Sequence, residues 1–264
     1  MKTIILIPAR YASSRYPGKP LVMLTGRDGV AKSLIQRSWE AARAVPDAHS
    51  VYVCTDDARI RDAAEGFGAR VIMTAESCAN GTERCADAMS KLPEGADLYV
   101  NLQGDAPLTP SWFIEALIHE MRDDEDVEMA TPVLRCDAQT YANFVEDRQH
   151  GRVGGTTAAF DKHMNALYFS KEVIPYTGHD SGKTFGADDV IPVFHHVGVY
   201  AYRAEALRAY GSWPVGPLEQ HEGLEQLRFL ENGMPIRCVE VDARGRVFWE
   251  LNNPVDVARI ESIL

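Results

Sequence analysis

The loop that follows the first hydrophobic segment carries the residue types needed to hold a phosphorylated ligand. Residues 3–8 are apolar or β-branched on both faces, which is typical of a parallel strand covered by helices. Ligands of open parallel sheets bind beyond the carboxyl ends of the strands, where this loop begins. Small residues such as Ala9 and Ser13 let the backbone approach a ligand, and Arg15 and Lys19 supply charges that suit a triphosphate. For either cation taken alone, a solvated surface position is the alternative.

Asp105 has the sequence context of a magnesium ligand. It follows a hydrophobic strand predicted at 97–102 and precedes a proline and a helix, which predicts that it lies at the edge of the sheet where ligands bind. Mg²⁺ is often held by one or two carboxylates together with phosphate oxygens and water. The alternative is a turn aspartate that accepts hydrogen bonds from its own backbone.

The elements that position these residues alternate between strand and helix in the first half of the chain. Hydrophobic patterns predict strands at 3–8, 50–55, 70–74, 97–102 and 128–134, and helices at 31–45, 56–66, 82–92 and 110–122. Thr82 and Thr109 are the expected N-caps of the last two helices. This order, with short connections, predicts an α/β fold built on a doubly wound, mostly parallel, Rossmann-like sheet.

The second half of the chain has a different pattern. Strands are predicted at 156–160, 166–169 and 196–202, and helices at 218–230 and 253–264. Strand-rich insertions late in an α/β chain often supply the second wall of a cleft, or a dimer face.

Charge and composition disfavour several classes of protein. The net charge is −11, from 27 basic and 38 acidic residues, whereas a general nucleic-acid binder needs an excess of Lys and Arg. Five scattered cysteines without paired spacing argue against a disulfide framework or a zinc site. The first apolar run is too short for a signal peptide or a membrane span, so we expect a cytoplasmic protein with no membrane partner. No GxGxxG follows the first strand, which disfavours a flavin- or NAD-binding protein.

Seven segments resemble, in order, the motifs of the 3-deoxy-manno-octulosonate cytidylyltransferase (CMP-Kdo synthetase) family. They are P-A-R-Y-A-S-S-R-Y-P-G-K-P at 8–20, C-T-D at 54–56, N-G-T-E-R at 80–84, N-L-Q-G-D-A-P at 101–107, A-L-Y-F-S at 166–170, H-V-G-V-Y-A-Y-R at 196–203 and L-E-Q-H-E-G-L-E-Q-L-R at 218–228. The resemblance spans nearly the whole chain.

The resemblance implies an enzyme that couples CTP to an acidic sugar, 3-deoxy-manno-octulosonate (Kdo) or a close relative, and releases pyrophosphate. Such a product would serve surface polysaccharide biosynthesis, of lipopolysaccharide or capsule. The resemblance also implies Mg²⁺ as cofactor and a homodimer. We expect a single nucleotidyltransferase domain over residues 1–264, in which 1–135 mainly bind nucleotide and 136–264 mainly bind sugar and form the dimer.

Roles for individual residues follow from the matched motifs. The resemblance assigns catalytic roles to Arg15, Lys19 and Asp105. It assigns nucleotide binding to Pro8, Ala9, Arg10, Ser13, Thr55, Asp56, Gly81, Thr82, Arg84 and Gly104. It assigns sugar binding, without proton transfer by the histidine, to Gln103, Lys171, His196, Tyr200, Glu225 and Gln226. The implied metal ligands are Asp105 and Asn252.

Four positions depart from the family pattern. Ala106 replaces a Glu, Lys171 replaces an Arg, Thr157 falls where the family carries a Lys, and Asn252 replaces an Asp that is the second metal ligand. A Lys lacks the planar fork that binds a carboxylate through two hydrogen bonds, and an amide ligates Mg²⁺ without charge. These departures predict a divergent paralogue acting on Kdo or a related sugar. The alternatives are an enzyme for another ulosonic or nonulosonic acid, or a nucleotide-binding paralogue with weakened catalysis.

Overall fold

A single sheet is parallel at one end and antiparallel at the other. The computed structural model describes residues 1–12, 16–153, 155–178, 184–186, 189–246, 251, 253–254 and 256–264. The parallel strands lie in the order β5-β4-β1-β6. Their bounds are β1 (Thr3–Ala9), β4 (Ser50–Thr55), β5 (Arg70–Met73) and β6 (Leu98–Leu102).

The remaining strands continue the same sheet. Their bounds are β7 (Met129–Arg135), β8 (Thr156–Phe160), β9 (Ala166–Ser170), β10 (Phe194–His196), β11 (Val199–Arg203) and β12 (Arg237–Glu240). Strand β11 lies antiparallel between β6 and β7, so β7 runs in the direction of β6, and β12 pairs in parallel with β7. The carboxyl ends of β1, β6, β7 and β12 therefore share one edge of the sheet. A separate hairpin is formed by β2 (Met23–Thr25) and β3 (Ala31–Ser33).

Helices cover both faces of the sheet. Their bounds are α1 (Leu34–Arg43), α2 (Ala58–Gly66), α3 (Gly81–Lys91), α4 (Ser111–Asp123), α5 (Ala138–Gln149), α6 (Ala204–Tyr210), α7 (Pro217–Glu222), α8 (Leu227–Glu231) and α9 (Asp256–Ile263). Successive β1 residues alternate between two cores, since Ile5 packs in the cluster that includes Phe113 of α4, and Leu6 in the cluster that includes Cys85 of α3 and Leu227 of α8. This arrangement confirms the predicted doubly wound α/β fold, whose parallel part continues into antiparallel strands. Within the described ranges, no helix combines the length and apolarity needed to span a bilayer.

Several predicted helix starts were wrong, because local side chains form different caps. Helix α1 begins at Leu34, because residues 31–33 pair in the β2–β3 hairpin, and Ser33 caps it by accepting a hydrogen bond from the Gln36 N–H. Asn80 caps α3 in place of Thr82, by accepting from the Glu83 N–H at 2.8 Å. Pro110 occupies the N-cap position of α4, where Thr109 was expected.

The predicted helix over 218–230 is two short helices, α7 and α8, and the break between them shapes the site. Gly223 ends α7 with φ of 64°, a left-handed conformation that glycine adopts without the steric cost of a Cβ. Residues 224–226 therefore leave the helical path. The predicted strand at 196–202 is likewise two strands, because residues 197–198 separate β10 from β11. Helices α5 and α6, strand β12 and the hairpin were not predicted.

Candidate functional site

A cleft of about 1410 Å³ opens along the carboxyl edge of the sheet and gathers most of the predicted site residues. Its lining includes Pro8, Ala9, Arg10, Lys19, Gly81, Arg84, Gln103, Gly104, Asp105, Lys171, His196, Tyr200, Glu225 and Gln226. Thr55, Asp56 and Thr82 stand behind this lining. Ser13, Arg15 and Asn252 lie outside the described residues.

The loops after β1 and β6 approach each other closely at the centre of the cleft. A Cβ at Gly104 would lie 2.7 Å from the carbonyl oxygen of Pro8, so only glycine fits there. Arg10 reaches across to the loop before α3, where its Nη1 donates to the carbonyl of Ala79 at 3.2 Å. These contacts join the predicted nucleotide loop to two neighbouring elements.

Lys19 and Asp105 form an ion pair between the first loop and the loop after β6. The Lys19 Nζ lies 2.5 Å from Oδ2 of Asp105, and the two side chains are 14% and 25% exposed. The carbonyl of Asp105 accepts a hydrogen bond from the Leu251 N–H at 2.9 Å. The predicted catalytic lysine and carboxylate therefore lie together, in the cleft, beside the chain segment that enters α9.

Arg84 supports the wall of the cleft through a buried ion pair. Its Nη2 lies 3.0 Å from Oδ2 of Asp56, and its Nη1 donates to Oγ1 of Thr74 at 2.5 Å. Thr55 is also buried, and its Oγ1 accepts from the Asp57 N–H at 3.2 Å. The structure thus places Asp56 as the ion-pair partner of the lining residue Arg84, and Thr55 beside it as the acceptor for the Asp57 N–H.

Glu225 links the opposite wall to α3 and to the loop after β6. Its carboxylate accepts from the Thr82 N–H at 3.1 Å and from Nε2 of Gln103 at 2.9 Å. Burial raises the pKa of Glu225, while the backbone N–H of Thr82 opposes that shift. Thr82 contributes here through its backbone, and its hydroxyl contacts the Tyr202 hydroxyl at 2.9 Å.

His196 is a buried and neutral member of this wall. Burial lowers its pKa to about 3, and the neighbouring His195 adds to the shift. Oγ1 of Thr131 lies 2.9 Å from the carbonyl of Val199 and 3.0 Å from Nε2 of His196. The carbonyl can only accept, so the single hydroxyl proton goes to it, and Nε2 must donate to Oγ1. Nδ1 of His196 is then a hydrogen-bond acceptor.

Tyr200 and Gln226 line the same part of the cleft as His196. The Tyr200 hydroxyl donates to Oε1 of Gln226 at 3.2 Å. Gln226 is 2% exposed, and within the described residues its Nε2 has no hydrogen-bond partner. A buried amide donor without a partner is costly, so this N–H₂ group is suited to a ligand oxygen or a bound water.

Lys171 stands at the break between α7 and α8. Its Nζ lies 3.1 Å from the point where a Cβ on Gly223 would be. The adjacent Glu222 accepts from the Lys171 N–H at 2.9 Å and from Oγ of Ser170 at 2.7 Å. These bonds fix the end of β9 to the same break that presents Glu225.

Sequence reasoning missed the buried ionic network behind this wall. Arg228 is 2% exposed, donates to both carboxylate oxygens of Glu219 at 2.6 and 2.7 Å, and lies 3.0 Å from Oε1 of Glu83. Asn80 joins the network by donating to the Tyr210 hydroxyl at 2.8 Å and to Glu219 at 3.3 Å. The sequence did give one indication of this network, since Arg228 lies within the family motif at 218–228. The cleft lining also includes Arg246, which had no sequence signal, and Asn253 and Asp256, which lie in the segment compared with the family around Asn252 but were given no role.

Similarity to known proteins agrees with this geometry. A family model described as cytidylyltransferase matches residues 4–236. A 3-deoxy-manno-octulosonate cytidylyltransferase of Maricaulis maris is 43% identical over 264 residues, which cover 100% of this chain and 97% of that protein. An 8-amino-3,8-dideoxy-manno-octulosonate cytidylyltransferase of Shewanella pealeana is 39% identical, with 100% and 99% covered.

A solved structure extends the similarity to the fold of the whole chain. The structure of CMP:2-keto-3-deoxy-manno-octonic acid synthetase complexed with CTP matches with a TM-score of 0.82 and 35% identity, over 99% of this chain and 98% of that chain. The motifs, the fold and the cleft therefore agree, and the chain belongs to the 3-deoxy-manno-octulosonate cytidylyltransferase family of nucleotidyltransferases.

Proposed function

We propose that this chain transfers CMP from CTP to the anomeric hydroxyl of Kdo, or of its 8-amino analogue, and releases pyrophosphate. The observation that carries this proposal is the single cleft in which the Lys19–Asp105 pair faces Gln103, Glu225 and Gln226. One side suits phosphates and the other suits sugar hydroxyls. The product would serve the synthesis of a surface polysaccharide.

The nucleotide end of the cleft is assigned to the loop after β1. The backbone of Pro8 and Ala9 would contact the base and ribose, with Arg10 held at the rim by the Ala79 carbonyl. Arg15 and Ser13 of the same loop are assigned to the phosphates by their motif, as Lys19 is. Cations that contact phosphate through short hydrogen bonds stabilise both the bound nucleotide and the leaving pyrophosphate.

Asp105 fits the magnesium ion that the family resemblance implies. Its Oδ2 contacts Lys19, and in the described part of the chain its Oδ1 has no hydrogen-bond partner. The described residues contain no cluster of three His, Cys, Asp or Glu side chains suited to a metal, which agrees with an ion held by one carboxylate and the nucleotide phosphates. We propose Asp105, together with the amide oxygen of Asn252, as the protein ligands. Bound there, Mg²⁺ would neutralise charge on the phosphates.

The reaction we propose is an in-line displacement at the α-phosphorus of CTP. A bond forms between the anomeric oxygen and phosphorus while the bond to the bridging oxygen of pyrophosphate breaks. The proton of the anomeric hydroxyl passes to solvent water. Such transfers depend mainly on positioning and electrostatic stabilisation. Lys19, released from Asp105 when the phosphates bind, would contact the departing pyrophosphate.

The sugar end is assigned to the wall that contains Lys171, His196 and Gln226. Lys171 would pair with the sugar carboxylate, and Nδ1 of His196 would accept a hydrogen bond from a sugar hydroxyl. Because the pKa of His196 is about 3, we propose that it orients the hydroxyl and takes no proton from it. The unpartnered Nε2 of Gln226 would donate to a second sugar oxygen.

The proposal is tested by measuring pyrophosphate release from CTP with Mg²⁺ and either Kdo, 8-amino-Kdo or sialic acid. We expect turnover with an octulosonic acid and its loss when EDTA removes the metal. The ratio of kcat/KM between Kdo and 8-amino-Kdo identifies the substrate. The absence of pyrophosphate release with all three sugars would contradict the proposal.

A second candidate is a nucleotide-binding paralogue with weakened catalysis. The observation that favours it is Asn252, which replaces a charged metal ligand of the family. This candidate predicts CTP binding in calorimetry without pyrophosphate release for any sugar in the panel.

We also propose a cytoplasmic homodimer. Strand β9 ends the sheet order, and its outward-facing Leu167 is 65% exposed. A second copy would cover this edge, which sedimentation at micromolar concentration would show as a dimer. Five free cysteines agree with a reducing compartment.

A further inference from the structure

We infer that Arg246 is an additional cation for the polyphosphate of the nucleotide, held at the cleft by the ring of Trp112. The inference rests on the proposed function, since it assigns a further residue to the same phosphate site. None of the motifs that carry the family resemblance includes Arg246. It is assigned here from its place in the fold.

The topology brings Arg246 to the ligand-binding edge of the sheet. Strand β12 runs parallel to β7, and the Val241 N–H donates to the Val133 carbonyl at 3.0 Å, so the chain leaves β12 at the edge where β1 and β6 also end. The next residues form a tight turn, in which the Arg246 N–H donates to the Ala243 carbonyl at 2.9 Å. Arg246 then lines the cleft together with Lys19 and Asp105.

Trp112 fixes this turn to the side of the cleft that contains Asp105. The tryptophan lies in the first turn of α4, directly after the Asp105 loop, and its Nε1 donates to the Asp242 carbonyl at 2.9 Å. It packs against the core cluster of α1 and α4. Ala9 of the proposed nucleotide loop belongs to that same cluster. Tyr200 and Leu227, which flank the proposed sugar site, belong to the cluster on the other face of the sheet. The turn that carries Arg246 is therefore held on the face of the sheet against which the nucleotide loop packs.

The side chain of Arg246 is positioned but not neutralised. Its guanidinium carbon lies 5.1 Å from the centre of the Trp112 ring, a cation–π contact that positions the charge without neutralising it. Among the described residues, no carboxylate forms an ion pair with it. An arginine without a carboxylate partner at the rim of an anion site has N–H donors suited to phosphate oxygens.

The neighbouring Arg244 provides a matched control. Its guanidinium carbon also lies over the Trp112 ring, at 4.8 Å, but Arg244 is not part of the cleft lining. Substituting either residue by alanine removes one positive charge and one contact with the same ring. Only Arg246→Ala removes a cation from the cleft.

The experiment compares Arg246→Ala and Arg244→Ala with the wild type. Calorimetry would give the affinity for CTP, and pyrophosphate release would give kcat, both KM values and the inhibition constant for pyrophosphate. We expect Arg246→Ala to weaken CTP affinity and pyrophosphate inhibition by about 10-fold to 100-fold, with the KM for sugar nearly unchanged. Arg244→Ala should match the wild type, and Arg246→Lys should retain part of the affinity.

The outcomes separate this inference from the proposed function. Wild-type turnover with equal CTP affinity in the two alanine variants would overturn the role of Arg246 and leave the proposed function standing. An effect confined to the KM for sugar would also overturn it. A wild type that binds no CTP would instead contradict the proposed function. Thermal unfolding of both variants, expected within a degree or two of the wild type, shows that any loss is local.

Discussion

The two sides of the cleft are built on different physical principles. The proposed sugar wall, defined here as Asn80, Glu219, Glu225, Gln226 and Arg228, is a network of internal hydrogen bonds and ion pairs that leaves the buried Nε2 of Gln226 without a partner among the described residues. The phosphate wall, defined here as Arg10, Lys19, Asp105 and Arg246, has one internal ion pair and otherwise exposes its cations. The hydrogen bonds of the sugar wall are formed without a ligand. The cations of the phosphate wall would instead be neutralised by the phosphates of the ligand.

This difference fits the two kinds of ligand. A neutral hydroxyl binds through a few hydrogen bonds whose donors and acceptors must already point the right way, so a rigid wall favours selectivity. A polyphosphate binds through charge. Arg10 and Arg246 have no carboxylate partner among the described residues and can contact it directly, whereas Lys19 has to leave its ion pair with Asp105. The comparison predicts that substitutions in the sugar wall reduce stability, while those in the phosphate wall reduce activity at constant stability.

The largest effect is expected for Arg228→Met, which breaks the sugar wall. The substitution leaves Glu219 buried without its partner, and breaking a buried ion pair in this way costs about 3–5 kcal/mol of unfolding free energy. Urea denaturation measures the loss. The control Arg208→Met removes an arginine from the exposed pair with Glu205, for which we expect about 0–1 kcal/mol. Equal losses in the two variants would contradict a special role for the buried network.

Asp105→Asn tests the phosphate wall and should reduce kcat by about 10²–10³-fold. The amide removes the charge that holds both Lys19 and the proposed metal, but it occupies the same volume, so stability should change little. Stopped-time pyrophosphate assays at saturating CTP measure the rate. The control Asp62→Asn alters an exposed carboxylate paired with Arg61 and should leave kcat unchanged. Full activity of Asp105→Asn would remove this carboxylate from the mechanism.

The buried His196 should make the fold sensitive to acid, by about 2 kcal/mol between pH 6.5 and pH 5. Burial lowers its folded pKa to about 3 from its ordinary value of 6.5, so the unfolded chain binds more protons between these values. Stability is therefore lost as pH falls through this window, by about 1.4 kcal/mol per pH unit. His196→Gln, whose amide can still donate to Thr131, should reduce the slope of the pH profile of unfolding free energy, and the buried His195, whose pKa burial lowers to about 4, should account for much of the slope that remains. His119→Gln, at an exposed position, should keep the wild-type slope.

Local patterns predicted the fold where local interactions determine it. Strand β4 was predicted over its observed bounds, and β1, β6 and β7 within one residue at each end, because each is a hydrophobic run between turn residues. The break at Gly223 was missed because Leu218, Leu224, Leu227 and Leu230 fit one continuous apolar stripe. The hydrogen bonds from Glu222 to the end of β9 favour the break, and they join residues about 50 positions apart. The hydrophobic pattern of a short sequence segment cannot indicate a contact between residues so far apart in the chain.

The same distinction applies to the site. Lys19 and Asp105 follow recognisable strands, so their meeting at one edge of the sheet was predictable from topology. The burial of Arg228 depends on Glu219 and Glu83, which reach it from α7 and α3, and a sequence pattern cannot distinguish that arginine from a solvated one. Arg246 follows a short strand with charged ends that was not predicted, so its position in the cleft had no signal. The roles of Arg15, Ser13 and Asn252 remain predictions.

The smallest expected effect comes from adding a charge at the proposed second metal ligand with Asn252→Asp. An aspartate would restore the family's second carboxylate, and calcium and magnesium sites strengthen with the number of charged ligands. We expect the Mg²⁺ concentration for half-maximal activity to fall about tenfold, in line with single-ligand changes at metal sites. The substitution Asn253→Asp, at the next position in the sequence, adds the same charge at a residue that lines the cleft. If both variants lower the requirement equally, the effect is general electrostatic attraction, whereas a fall confined to Asn252→Asp identifies that position as a ligand.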